Sequence, residues 1–140
     1  MQYQIEILSN RFDLGESKKK ENINGICGRE LLEWIMKNFG YSSYEILNED
    51  WGWGIKFENN GILICIMAMN IDLNGLSFGR PVNPEGPNWK ICIVTKKFVK
   101  KVLFIKKFSE TNDCISIGKS IESLCAIAGD KICSGELEML

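Results

Sequence analysis

The clearest pattern in the chain is an alternation of apolar and polar residues that starts after residue 50. Every second residue from 51 to 57 is large and apolar: Trp51, Trp53, Ile55 and Phe57. This two-residue period is typical of a half-buried strand. Asn60-Gly61 follows, and this dipeptide favours the positive φ angles of a type I′ turn. We therefore predict an antiparallel hairpin with both indoles facing the core and with three facing pairs: Phe57 with Ile64, Ile55 with Ile66, and Trp53 with Ala68.

The second strand of this hairpin, from Ile62 to Asn70, is apolar on both of its faces. A strand of this composition is buried on both sides, so we expect it to be central in its sheet. Gly52 and Gly54 leave the outer face of the first strand bare. Their spacing indicates a bulge or a group that lies close against the backbone.

Two longer segments have the three- and four-residue spacing of amphipathic helices, 26–39 and 115–128. Gly28 falls within the first of them and indicates a close approach to the sheet. Gln2 to Leu8 and Trp89 to Thr95 alternate as strands do. The segment 98–108 fits either a helix with lysines on its back or a strand at 102–105. We expect a short helix or turn followed by a strand, with the apolar residues buried and the lysines in solvent.

These elements predict a single α+β domain over residues 1–140. Its expected core is an antiparallel sheet of about five strands with two helices on one face. A parallel doubly wound sheet is the alternative, and the absence of a repeated strand-helix-strand order disfavours it.

Histidine is absent from the 140 residues. Nucleophiles activated by histidine and metal sites built on histidine are therefore excluded. The six cysteines include no Cys-x-x-Cys pair, which favours reduced core thiols over a metal knuckle. We predict that the protein is not an enzyme and binds no cofactor or metal.

Charge is distributed unevenly along the chain. Residues 90–119 carry eight lysines and two acidic residues, although the net charge of the whole chain is −1. The sequence shows no secretory signal and no apolar run long enough to span a membrane, so we expect a cytoplasmic protein without a membrane partner. Nucleic acid is disfavoured as a partner because the lysine-rich segment contains no arginine and the whole chain is acidic.

The longest irregular stretch, 72–88, contains all three prolines, and a loop of this length is either a binding loop or merely mobile. Together with the charge pattern, this stretch suggests a surface that contacts a partner protein. The predicted contact residues are Glu45, Glu49, Asp50, Asp72, Arg80, Lys96, Lys97, Lys100 and Lys101.

Two segments of the chain resemble segments of other proteins: Gly25 to Trp34 and Glu49-Asp50-Trp51-Gly52-Trp53. The chain resembles a group of small, mostly uncharacterised bacterial proteins in which Glu-Asp-Trp-Gly-Trp opens a hairpin. That resemblance implies the hairpin and no catalytic residue. In its size, its lack of histidine and its segregated charge, the chain is also similar to the immunity proteins of bacterial toxin systems.

We therefore expect that this protein binds another protein without catalysis. In the simplest case it is an immunity protein that neutralises a cognate toxin or another effector. One alternative is a module that binds a nucleotide or metabolite in a pocket lined by Trp51, Trp53 and Trp89. The other is a regulatory subunit.

Overall fold

The computed structural model describes residues 1–71 and 86–139. The helices in these residues are α1 (Glu16–Lys19), α2 (Arg29–Phe39) and α3 (Asp113–Ile127). The strands are β1 (Gln2–Leu8), β2 (Glu45–Glu49), β3 (Gly52–Asn59), β4 (Ile62–Asn70), β5 (Trp89–Val102), β6 (Ile105–Glu110) and β7 (Lys131–Glu138). None of the described helices is long and apolar enough to cross a membrane.

All seven strands form one antiparallel sheet in the order β2-β3-β4-β5-β1-β7, and β6 pairs with the far end of β5. The prediction of about five strands with two helices is therefore wrong. α1 is a single turn of helix within 9–24, a stretch with no helical or strand period. The stretch 131–140 has no clear period and fits either a short strand or a frayed end. Most of it forms β7, whose register against β1 shifts between Glu6 and Ile7.

The predicted β3–β4 hairpin is confirmed. Trp53, Ile55 and Phe57 face Ala68, Ile66 and Ile64 in the register that the sequence predicts. Asn60 and Gly61 form the loop with φ angles of 51° and 77°. β4 lies between β3 and β5, which confirms that it is an interior strand.

Trp51 does not share the environment of Trp53. Trp53 is 3% exposed, but Trp51 is 38% exposed, so the prediction that both indoles face the core is wrong. The alternation ends at Gly52, where φ is 144°, and β3 begins only at that residue. A Cβ atom added to Gly54 would lie 3.2 Å from Cη2 of Trp51. The group that lies against the bare backbone of Gly54 is therefore the Trp51 indole.

The core lies between the sheet and the two longer helices. α2 packs on β3 and β4, and α3 packs on β1, β5 and β7. Gly28 immediately precedes α2, and a Cβ atom there would collide with the carbonyl oxygen of Ala68. This confirms the predicted close approach to the sheet. The side chains that fill the core include Ile5, Leu31, Ile35, Ile66, Ile91 and Ile121, all of them fully buried.

The segment 98–108 is a hairpin and contains no helix. Its first part continues β5 as far as Val102, and β6 returns from Ile105. A strand follows as predicted, but the expected helix before it and the expected burial of the apolar residues are wrong, because within residues 1–71 and 86–139 the two strands pair here only with each other. Its larger apolar side chains are exposed: Phe98, Val99, Leu103, Phe104, Ile105 and Phe108.

Candidate functional site

The hairpin from Lys96 to Glu110, called here the basic hairpin, extends past the end of the main sheet. β1 pairs with β5 only as far as Ile93, and β4 only as far as Lys97. Among the residues that the structure describes, β5 is paired from Phe98 onward with β6 alone. The basic hairpin is therefore an arm that reaches beyond both of the strands flanking the first half of β5.

The base of this arm is fixed to the body of the protein. The Thr95 hydroxyl accepts hydrogen bonds from the backbone N–H of Cys114 at 3.0 Å and from the Thr111 hydroxyl at 2.9 Å. Both Thr95 and Cys114 are buried. These bonds join the last core position of β5 to the first turn of α3. The arm thus projects from an anchored base.

The tip of the basic hairpin is apolar and exposed. The exposed fractions of Leu103, Phe104 and Ile105 are 86%, 91% and 66%. Single apolar residues on a surface are common, but contiguous ones are characteristic of interaction sites. Farther back, Phe98 and Phe108 face each other, with ring centroids 5.9 Å apart and an interplanar angle of 74°. This edge-to-face pair stabilises the arm behind its tip.

The tip also has an unusual backbone conformation. Leu103 and Phe104 have φ angles of 48° and 69°, and they form a two-residue loop between the paired residues Val102 and Ile105. A residue with a side chain is less stable by roughly 1–2 kcal/mol in the left-handed region. Strain of this kind persists where the surrounding structure enforces it and is concentrated at functional sites. The exposed tip is therefore held in a costly conformation.

Four lysines lie directly behind the tip. Lys100 faces Lys107, and Lys101 faces Lys106, across the two strands. Like charges directly opposite one another destabilise an antiparallel pair. None of the ion pairs found between described residues includes any of these four lysines. The arm therefore combines an apolar end with uncompensated positive charge.

The predicted contact residues fall into separate groups. Lys96, Lys97, Lys100 and Lys101 lie together on the arm, and all are exposed. Glu45 and Glu49 lie on β2, and Asp50 follows in the turn to β3, so β3 and β4 separate all three from β5. The structure does not bring the acidic and basic groups into one patch. Asp72 and Arg80, with most of the 72–88 loop, lie outside the described residues.

The acidic group is tied to a neighbouring loop through its backbone. Asn22 Nδ2 donates to the Glu49 carbonyl oxygen at 2.8 Å, and Asn24 Nδ2 donates to the Asp50 carbonyl oxygen at 2.7 Å. The carboxylates themselves are exposed. Within residues 1–71 and 86–139, no three cysteine or acidic side chains are arranged to hold a metal ion.

The tip residues Leu103 to Ile105 are not among the predicted contact residues. A signal for them exists in the sequence Lys100-Lys101-Val102-Leu103-Phe104-Ile105-Lys106-Lys107, which is symmetric about its centre. A hairpin whose facing residues are of the same type has a sequence with this symmetry. It was overlooked because Leu-Phe is not a typical turn dipeptide.

A shallow apolar groove lies on the helix side of the sheet. It has a volume of about 280 Å³ and lies between the end of α2, the β3–β4 hairpin and α3. Its lining includes Tyr41, Phe57, Ile64 and Ile117. Ile64 faces Thr95 across β4 and β5. The groove is therefore next to the anchored base of the arm.

Comparison with known proteins gives no relative, since no family model, no curated protein and no solved structure matches this chain.

Proposed function

We propose that this protein binds a partner protein through the basic hairpin and acts by that binding, without catalysis. The observation that carries the proposal is the exposed Leu103-Phe104 tip, which is held at positive φ angles in front of two facing lysine pairs. Each of these features lowers the stability of the free hairpin. Contact with a complementary surface would compensate for all of them together.

The chemistry of the arm specifies the partner surface. Leu103, Phe104 and Ile105 require an apolar pocket, where a few buried side chains supply most of the binding energy. The lysines behind them require acidic residues around that pocket, which would also speed association. The partner surface is therefore an apolar pocket with an acidic rim.

Two other kinds of partner fit less well. Nucleic acid offers no pocket for the aliphatic side chains of Leu103 and Ile105, and Phe98 and Phe108 pack on each other instead of lying free to stack on bases. A second copy of this chain that laid its arm beside the first would bring two sets of lysines together. A different, acidic protein satisfies both the apolar and the charged part of the arm.

The narrower form of the proposal is that of an immunity protein. Its partner would be a cognate toxin or another effector, neutralised when the hairpin occupies a functional surface of that protein. The similarity in size and charge to immunity proteins supports this form, and we place the encounter in the cytoplasm. A toxin or effector gene beside the gene for this protein would support it further.

Site-specific photo-crosslinking tests the proposal. A benzophenone amino acid at position 104 keeps an aromatic group at the tip, and the same residue at position 56, exposed on β3, serves as the matched control. Irradiation of native cells should give a protein adduct that is specific to position 104. Adducts of RNA or lipid, or identical adducts at both positions, would refute the proposal.

A further inference from the structure

A second cavity lies at the N-terminal end of α2, whereas the apolar groove described above lies at the C-terminal end of the same helix. The whole cavity has room for about 10 Å³, the space of one water molecule. Its buried lining residues, called here the narrow end, are Cys27, Gly28, Trp53 and Trp89. Its mouth is shared with an outer cavity of about 280 Å³. The residues common to both are Lys18, Glu21, Arg29 and Glu30. The two cavities therefore form one site with a narrow end and a wide end.

The Trp89 side chain lines the first of these cavities and carries a hydrogen-bond donor without a partner. This side chain is 1% exposed. In the described part of the chain, Nε1 of Trp89 is the buried side-chain nitrogen or oxygen that lacks a hydrogen-bond partner. An unpaired buried donor of this kind destabilises the folded protein, since it has given up its hydrogen bond to water. Asp13 also lines this cavity, but its Oδ1 accepts from the backbone N–H of Gly15 at 2.7 Å, and no described residue accepts from Trp89 Nε1.

The start of α2 supplies further donors at the same place. α2 has eleven residues, and no side chain caps its N-terminus. The first backbone N–H groups of a helix have no acceptor within the helix and favour a negative charge. The N-cap residue is Gly28, where a Cβ atom would collide with the Ala68 carbonyl oxygen. The packing against β4 therefore prevents any capping side chain at this position.

The mouth of the site holds charges of both signs. Lys18 Nζ lies 4.0 Å from Glu21 and 3.9 Å from Glu30, which are long distances for ion pairs. By contrast, Arg29 is held firmly by Glu33 at 2.7 Å. The carboxylates of Glu21 and Glu30 are thus only loosely engaged. They remain available to a cationic group of a ligand.

We propose that this site binds a small zwitterion of the amino-acid class. A carboxylate oxygen of the ligand would enter the narrow end and accept from Trp89 Nε1 and the first N–H groups of α2. The ligand ammonium would lie between Glu21 and Glu30 in the wide end. A simple anion would gain nothing from these two acidic side chains, which among the described residues only Lys18 engages, and a simple cation would leave the inner donors without an acceptor. The site is independent of the basic hairpin.

Heteronuclear NMR of the indole N–H groups tests this proposal on the intact protein. The Trp89 signal is assigned from its loss in Trp89→Phe, and Trp51, on the other face of the sheet, provides an internal control. Glycine and the other common amino acids at millimolar concentration are compared with acetate and methylamine. At least one amino acid should shift the Trp89 signal saturably, with affinity about tenfold above that of acetate.

Glu30→Gln should weaken that binding about tenfold and leave the remaining indole signals unchanged. A Trp89 signal that no amino acid moves would show that the narrow end holds only water and would overturn the proposal. Equal affinity for acetate and amino acids would also overturn it. Neither result bears on the basic hairpin, whose crosslinking test is separate.

Discussion

Leu103 and Asn60 adopt the same backbone conformation at the first position of two-residue hairpin loops, with φ angles of 48° and 51°. At the second position, Phe104 and Gly61 have φ angles of 69° and 77°. Asn-Gly is the dipeptide that this geometry favours, whereas Leu-Phe is not. One sheet thus contains an unstrained loop and a strained loop of the same shape. The strained loop is the one with exposed apolar side chains.

Replacing the tip by Leu103→Asn with Phe104→Gly should stabilise the basic hairpin. Because each non-glycine residue at positive φ costs about 1–2 kcal/mol, amide hydrogen exchange in β6 should slow by roughly tenfold or more. The reciprocal change, Asn60→Leu with Gly61→Phe, should destabilise the β3–β4 hairpin. Faster exchange in β6 of the tip variant would show that the Leu-Phe loop is not strained.

Reversing one charge within a facing lysine pair should also stabilise the arm. In Lys106→Glu, a carboxylate would face Lys101, and such an opposite-charge pair stabilises a sheet by about 0.2–1 kcal/mol. Hydrogen exchange in β6 should slow slightly, and association with an acidic partner should slow and lose part of its salt dependence. Lys131→Glu, an equal charge change on β7, should leave both unchanged. If the two variants behaved alike, the facing lysines would have no special role.

Gly118 is required for the packing of α3 on β1. A Cβ atom at this position would collide with the ring of Tyr3. Gly118→Ala should therefore reduce the free energy of unfolding by about 1–3 kcal/mol, despite the better helix propensity of alanine. Urea denaturation measures this change, with Ser123→Ala on the exposed side of α3 as the control. A variant as stable as the unmodified protein would contradict the close contact.

Tyr3 should make stability depend on pH in the alkaline range. Burial, reinforced by the 2.8 Å hydrogen bond that its hydroxyl donates to Glu122, raises the pKa of Tyr3 from 10.0 to about 12. The unfolded chain then loses this proton first, so the Tyr3 contribution is complete below pH 10 and decreases as the pH rises toward 12.

Urea denaturation across this range compares the unmodified protein with Tyr3→Phe. The variant should lose less stability between pH 10 and 12, since the group that titrates differently in the two states is gone. Tyr44→Phe, at a partly exposed tyrosine, controls for removing a hydroxyl. Parallel pH curves for the unmodified protein and Tyr3→Phe would disprove the assignment.

The parts of the fold predicted from the sequence depend on local signals. Asn60-Gly61 and the alternation on either side of it were enough to give the register of β3 and β4. Trp51 was misplaced because one glycine at positive φ interrupts that alternation. The sequence of 131–140 leaves open a short strand or a frayed end, because a register shift of β7 against β1 interrupts its period. A bulge is set by the partner strand, so the strand's own sequence does not reveal it.

The candidate site was predicted only in part for a similar reason. The lysines of β5 stand out from composition alone. The exposure of Leu103 and Phe104 could not be predicted from composition, because an apolar run is normally buried. These two residues are exposed because the pairing of β4 with β5 stops at Lys97. The cavity at Trp89 is assembled from segments distant in the sequence. No local pattern could have indicated it.

The affinity of the protein crosslinked from position 104 tests the central claim most directly. Binding of that purified protein is measured by calorimetry to the unmodified chain and to the Leu103→Asn, Phe104→Gly variant. If the tip is the anchor, the variant should bind about a hundredfold more weakly, although its hairpin is more stable. Equal affinity of the two proteins for that partner would contradict the account.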